Sequence, residues 1–193
     1  PAMLFSHDDA QAAKDIETVI SFTRNSPTAI QYGKTFSTLL RRIIRRPVQE
    51  NQDLNNVIAM LVELSDSIGF DVQNSIHESD PVTAWYLAQS FPAMLHMATK
   101  YMSLNAMNAT ETIRDGLLAN ANRGGENVAT GALLGALFGA TVGFDGIPKE
   151  FLSGLATSQK HLIDIEIENF INSSSFATSG GSDGNVQSSK SDL

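Results

Sequence analysis

The chain has 193 residues, 21 acidic against 13 basic side chains, a formal charge of −8 and no cysteine. That length supports one domain with its own core, and the missing thiols remove disulfides, thiolate zinc sites and cysteine nucleophiles. The acidic balance argues against a general nucleic-acid partner, because phosphate neutralisation needs a basic face.

Apolar spacing is helical along most of the chain. From Asp8 to Phe22, the residues Ala12, Ile16, Val19 and Ile20 recur at three and four, and Asp8 and Asp9 favour a helix start. A second helix opens at Ser26 as cap with Pro27 in its first turn, buries Ile30, Phe36, Leu39, Leu40, Ile43 and Ile44, and stops at Pro47. A third runs from about Asp53 to Ser67 and closes at Gly69. The spacing predicts a fourth from Asp80-Pro81, carrying Trp85, Leu87, Phe91, Met94, Leu95 and Met97, with a kink or break at Pro92. ATETIRDGLLANANR is the fifth, capped by Thr110, and GENVATGALLGALFGATVG the sixth. IPKEFLSGL adds a short turn, and SQKHLIDIEIENFIN reads as a last helix. Beyond Asn172 the composition turns to serine and glycine, which predicts a disordered tail over 173–193 after a helical domain over 1–172. The class expected is all-α, a compact multi-helix bundle.

No apolar run reaches the ~20 residues that a membrane-spanning helix needs, and PAMLFSHDDAQ lacks a basic segment before a long apolar core. The expectation is a cytoplasmic protein with no membrane partner. The sequence opens at Pro1 rather than a methionine, which reads as a piece of a longer or processed polypeptide.

Four features could carry chemistry. Arg41, Arg42, Arg45 and Arg46 flank Ile43 and Ile44 and read as a solvated face in preference to a phosphate-binding patch. His7, His77, His96 and His161 show no three- or four-residue pairing of the kind a helical metal site uses, and His96 reads as a core or rim histidine. In SHDD, Asp8 and Asp9 could hold a hard cation, but adjacent acids at a helix start more often cap it. Gly131, Gly135 and Gly139, spaced by four with Ala132, Ala136 and Ala140, predict a face against which another helix packs closely, since each interior glycine costs roughly 1 kcal/mol. The glycine ladder leaves RGGEN unexplained. There Gly124 and Gly125 make a turn, and the helix start beyond them presents N–H groups to an anion.

GGENVATGALLGALFGATVGFDGIPKEFL resembles the C-terminal signature of the ADP-ribosylglycohydrolase superfamily, a Gly-Gly-Asp-x-Asp-Thr/Ser turn opening a small-residue helix and followed by an Ile-Pro-x-x-Trp/Phe-Leu element. TRNSPTAIQYGKTFSTLL is similar to the family's Thr-His/Gln-Asn segment, and QSFPAMLHMATKY followed by ETIRDGLLANANRGGEN resembles the order found in the subgroup of J-crystallins and selenoprotein J. The resemblance implies an all-α domain whose relatives hydrolyse ADP-ribosyl bonds with two magnesium ions. It also implies ADP-ribose or an ADP-ribosylated molecule as ligand, at Arg123, Gly124, Gly125, Glu126 and Asn127, with Glu126 as metal ligand.

Position by position, the motif departs from the family. Glu126 takes the place of the first acid, Asn127 follows, Val128 stands where the second acid would be, and Ala129 stands in for the hydroxyl residue. Valine and alanine offer no side-chain oxygen to magnesium. Arg24 replaces the histidine after the threonine, and the family's Thr-Asp-Asp run and Gly-Asp-Ala-x-Gly turn are absent from the sequence. Three readings stay open: part of a hydrolase whose other metal ligands lie elsewhere, a non-catalytic structural or nucleotide-binding relative, and a helical interaction domain whose glycine face docks a partner helix; separately, a missing half would leave an exposed apolar surface and make the chain oligomeric.

Overall fold

In the computed structural model, residues 8–46, 54–82, 86–104 and 108–173 are described. Ser6, His7, Pro47, Asp53, Trp85 and the serine-rich tail beyond 173 lie outside them. Among the described residues every regular element is a helix.

The local rules place most of these helices. α1 spans Asp9–Thr23, and the Asp8 carboxylate accepts from the N–H groups of Ala10 and Gln11, which makes the capping role of SHDD the observed one. α2 spans Pro27–Ile44 behind Ser26, whose side chain accepts from Ala29 N. α3 is Leu54–Ser67, with Gly69 at φ +74° just after it. α6 is Ala109–Asn122, α7 is Asn127–Val142, and α8 is the short Lys149–Ser153. α9 covers Thr157–Ser173.

Several expectations are corrected. The helix expected from Asp80 begins only at Leu87, as α5 (Leu87–Leu104), and a short α4 (Val72–Ser75) precedes it with Asp71 as cap. Asp80 and Pro81 lie outside any regular element instead, where Asp80 is drawn into side-chain bonds described below. Pro92 neither ends nor interrupts α5, which runs through it. The proline removes the N–H that would reach the Ala88 carbonyl, and Ala88 lies at an exposed position, so that carbonyl is not shut away from solvent. The cap of α6 is Asn108, which accepts from Glu111 N, not Thr110. Ile44, assigned to the buried stripe of α2, is 39% exposed.

α5 is the central rod. Every residue from Ala93 to Thr99 is buried, as expected of a helix covered on all sides, and α2, α3, α4, α6 and α7 lie against it. Leu39, Ile43, Val57, Leu61, Met94, Leu134 and Phe138 join around it in one core. Tyr32 stacks on Phe91 at 4.5 Å and Phe36 meets the same ring edge-on. α6 packs on α7 so closely that a Cβ on Gly116 would lie 2.6 Å from the Phe138 ring. No described helix is long and apolar enough to cross a membrane.

The arginine cluster is a solvated face at Arg42 and Arg45 but not at Arg41 and Arg46. Arg41 is 3% exposed and its Nε donates to Asp9 at 2.8 Å, and Arg45 reaches the same carboxylate at 3.0 Å. Those two guanidinium groups hold the Asp9 carboxyl below its ordinary range, chiefly through the Arg41 hydrogen bond. Arg42 pairs with Glu63. Arg46, also buried, donates to the Ile43 carbonyl and to the Thr141 carbonyl near the end of α7, where a cation meets the negative end of the helix.

The glycine ladder of α7 is corrected as well. Among the described residues, a Cβ at Gly135 or Gly139 would meet no atom within 4 Å, so no helix packs there. Only Gly131 is close to a neighbour, with its Cβ position 2.8 Å from Asn120 Nδ2.

Candidate functional site

The turn between α6 and α7 is built by two successive left-handed residues. Gly124 (φ +77°) and Gly125 (φ +69°) reverse the chain after Arg123, a geometry that residues with a Cβ adopt only with strain. The reversal sets α7 antiparallel to α6 and brings Asn127 back beside the last turn of α6. Asn120 Nδ2 donates to the Asn127 carbonyl at 2.7 Å, and Asn127 Nδ2 donates to the Ala121 carbonyl at 3.1 Å. Gly131 leaves the room that the Asn120 amide occupies. Thr130 Oγ1 donates to the Glu126 carbonyl at 2.8 Å. Asn120, Asn127 and Thr130 therefore hold the turn in shape.

Glu126 and Arg123 are the turn's charged members. Glu126 is the N-cap residue of α7 but makes no side-chain capping bond. Val128, two residues on, is 82% exposed. Arg123 extends from the end of α6 toward the Pro81 carbonyl, to which its Nη1 donates. Its Nε and Nη2 are buried and find no acceptor among the described residues. Burial pulls the Arg123 pKa below its ordinary value, opposed by the negative charge of Asp80.

Asp80 anchors a polar cluster that sequence reasoning did not pick out. It accepts from Lys100 Nζ and from Tyr101 OH, each at 2.7 Å, and lies 3.5 Å from His96 Nε2. Burial alone would raise the Asp80 pKa, but the hydrogen bonds from Lys100 and Tyr101 outweigh it and the net shift is downward. Burial, then the Asp80 carboxylate, pushes the Tyr101 phenol upward. On its other edge, His96 Nδ1 is 3.2 Å from Ser75 Oγ. The ring is 3% exposed, so desolvation, with the Lys100 charge, depresses its pKa despite the pull of Asp80. The core or rim role expected of His96 is the one observed. Phe70, Ser75, Glu78, Gln89, Pro92 and His96 border a cavity of ≈ 400 Å³ next to this cluster. The only sequence signal for the cluster was an acid before a proline, which serves a helix start equally well.

Two of the five sequence-predicted site residues, Gly124 and Gly125, form the backbone of the turn. Asn127 is committed to α6, Arg123 points toward Pro81, and Glu126 is the one carboxylate. Among the described residues, no three His, Asp or Glu side chains lie together as a metal ion would require. Val128 and Ala129 contribute no oxygen, and the Thr130 hydroxyl already bonds the Glu126 carbonyl. Magnesium, which prefers six oxygens in octahedral array, does not fit this turn.

The sequence model of the ADP-ribosylglycohydrolase family matches residues 1–178. The chain belongs to the ADP-ribosylglycohydrolase family. No curated protein and no solved structure matches it. The ADP-ribosylglycohydrolase match covers every described helix, α9 included. Within the matched residues, the double-glycine turn opens a small-residue helix, and the two positions after Asn127 are Val128 and Ala129.

Proposed function

We propose that the Arg123–Asn127 turn recognises an ADP-ribosyl group and that two-magnesium hydrolysis does not run on this chain's own residues. Membership of the family supports the ligand class. The observation that carries the second half is that Glu126 stands alone: the positions that would complete a metal shell hold Val128 and Ala129, and Thr130 is committed to backbone. What the turn holds suits an anion. Gly124 and Gly125 let backbone come close to a pyrophosphate, the first-turn N–H groups of α7 have no intrahelical acceptor, and Arg123 supplies a cation whose buried Nε and Nη2 find no acceptor among the described residues. Asn127 holds the turn from behind through its bond to Ala121 and does not contact the ligand.

Calorimetric titration of the chain with ADP-ribose tests this reading. Binding is expected without magnesium and little changed by adding it, and Arg123→Gln should weaken it by about tenfold or more, as for a lost charge-assisted bond. Glu126→Gln should leave binding unchanged. Failure of ADP-ribose to bind removes the recognition half. Release of ADP-ribose from an ADP-ribosylated substrate in magnesium, lost on Glu126→Gln, overturns the other half.

A further inference from the structure

Ser75, Asp80 and His96 meet around one imidazole ring. Ser75 closes α4, Asp80 lies in the connection that follows, and His96 is buried inside α5. His96 Nδ1 stands 3.2 Å from Ser75 Oγ, and Nε2 stands 3.5 Å from Asp80 Oδ1. Burial would raise the Asp80 pKa, but the bonds from Lys100 and Tyr101 carry it below its ordinary value, so near neutral pH the carboxylate only accepts. The ring hydrogen therefore belongs on Nε2, toward Asp80, which leaves the Nδ1 lone pair for the Ser75 hydroxyl. Desolvation keeps the ring neutral, as a proton acceptor must be. Ser75 Oγ also lies 2.9 Å from the Val72 carbonyl oxygen, and a turn about its Cβ–Oγ bond moves the hydrogen from that carbonyl to the ring. A hydroxyl within reach of a base that an acid orients is the arrangement that activates a serine. A histidine used only for packing needs no open space beside it, yet Ser75 and His96 both border the ≈ 400 Å³ cavity. Phe70, Pro81, Val82 and Pro92 give that cavity apolar walls, Gln89 gives it an amide, and Glu78 is its one charged side chain.

We propose that this cavity is an esterase site, in which Ser75 attacks the carbonyl carbon of a small uncharged acyl ester and His96 is the general base. As the Ser75 Oγ–carbon bond forms, the hydroxyl proton passes to His96 Nδ1 and the carbonyl electron pair moves onto its oxygen. The Gln89 amide is the side-chain donor for that oxygen. Collapse breaks the bond to the alcohol, which leaves with the proton from Nδ1. Water then adds to the acyl-serine, giving its proton to Nδ1, and the acid departs as Ser75 Oγ takes that proton back. The balance is ester and water to acid and alcohol. Asp80 is a positioning residue, and its attraction to Nε2 strengthens while the ring is charged. The apolar walls and the volume, at the small end of ligand pockets, select a short acyl chain, and Glu78 repels an acidic one.

Two measurements on the full chain test this. Diisopropyl fluorophosphate, which loses fluoride to an activated serine, should label the unaltered protein, and peptide mass spectrometry should place the label on Ser75. The chain should also hydrolyse p-nitrophenyl butyrate. Ser75→Ala should abolish labelling, and Ser75→Ala and His96→Gln should each lower kcat/KM by about a hundredfold or more. Gln89→Ala should lower kcat by about a hundredfold. In Asp80→Asn the new amide donates to Nε2 and turns the ring hydrogen to Nδ1, so kcat should fall at unchanged KM, whereas loss of a purely structural bond would lower the urea midpoint and leave kcat alone. Circular dichroism checks that each variant is folded. An unlabelled and inert wild-type chain, a label on another residue, or hydrolysis that persists in folded Ser75→Ala overturns the proposal.

Discussion

Four glycines in the α6–α7 pair separate two accounts of the small-residue helix. Gly135 and Gly139 are interior helical positions where an added methyl meets no atom within 4 Å. Replacing either by alanine removes the backbone-entropy cost of glycine in a helix and should stabilise the chain by about 0.5–1 kcal/mol, or about 2–4 °C of melting temperature per kcal/mol for a domain of this size. Gly116 behaves oppositely. Its Cβ would stand 2.6 Å and 2.8 Å from two atoms of the Phe138 ring, which is fully buried and has no room to retreat. Gly116→Ala should destabilise by about 1–3 kcal/mol, the ordinary range for overpacking. Gly131→Ala should destabilise too, because the Cβ presses on the Asn120 amide that ties the turn. Urea denaturation of the four single variants gives the comparison, read from midpoints at constant slope. If Gly135→Ala or Gly139→Ala lowers the midpoint as Gly116→Ala does, a partner helix covers that face and the reasoning from open space fails.

Other consequences follow from the polar contacts. Asn120→Ala leaves the Asn127 carbonyl without its side-chain donor and should cost about 1–3 kcal/mol in urea denaturation, and an unchanged midpoint would show that the clasp does not hold the turn. Arg46→Met keeps the aliphatic stem but strips the donors from the Ile43 and Thr141 carbonyls, for an expected loss of about 2 kcal/mol. The urea midpoint should also depend on pH with a definite sign. His96 and Asp80 both have folded pKa values below their ordinary 6.5 and 3.8, so in each case the unfolded chain takes the proton first and stability is lost as pH falls. The midpoint should decline below pH 6.5 through His96, and again in acid through Asp80. His96→Gln should flatten the upper limb and leave the lower one, and an upper limb that persists in that variant would assign it to another group.

Signals that were local in the chain were legible, and those that needed a distant partner were not. Ser26 before Pro27, and Gly69 after Ser67, marked helix ends because capping involves residues three or four apart. Thr110 and Asn108 could each begin α6, and only the Asn108 bond to Glu111 N distinguishes them. Arg41 is separated from Asp9 by 32 residues and Arg46 from Thr141 by 95. Read along α2 alone, four arginines look like water-facing side chains; the acid and the carbonyl that bury two of them come from other helices. Asp80 was lost for the same reason, with Lys100 and Tyr101 standing 20 and 21 residues away. The glycine spacing misled in the opposite direction. A four-residue repeat states that a face is bare, and only the neighbours determine whether anything fills it.

The double-glycine turn keeps its shape without help from the side chains at 128 and 129. Holding α6 to α7 depends on backbone carbonyls, two asparagine amides and the space at Gly131, and none of these needs a carboxylate at position 128 or a hydroxyl at 129. Val128 is 82% exposed, so a metal ligand at that position has no structural duty and can be exchanged without cost to packing. Fold and catalysis are thus separable at this turn. Val128→Asp with Ala129→Thr should accordingly leave the urea midpoint within the small range typical of exposed substitutions, about ±0.5 kcal/mol. A large loss of stability from that pair would mean that the exposed valine supports the fold, and the separation argued from its exposure would be wrong.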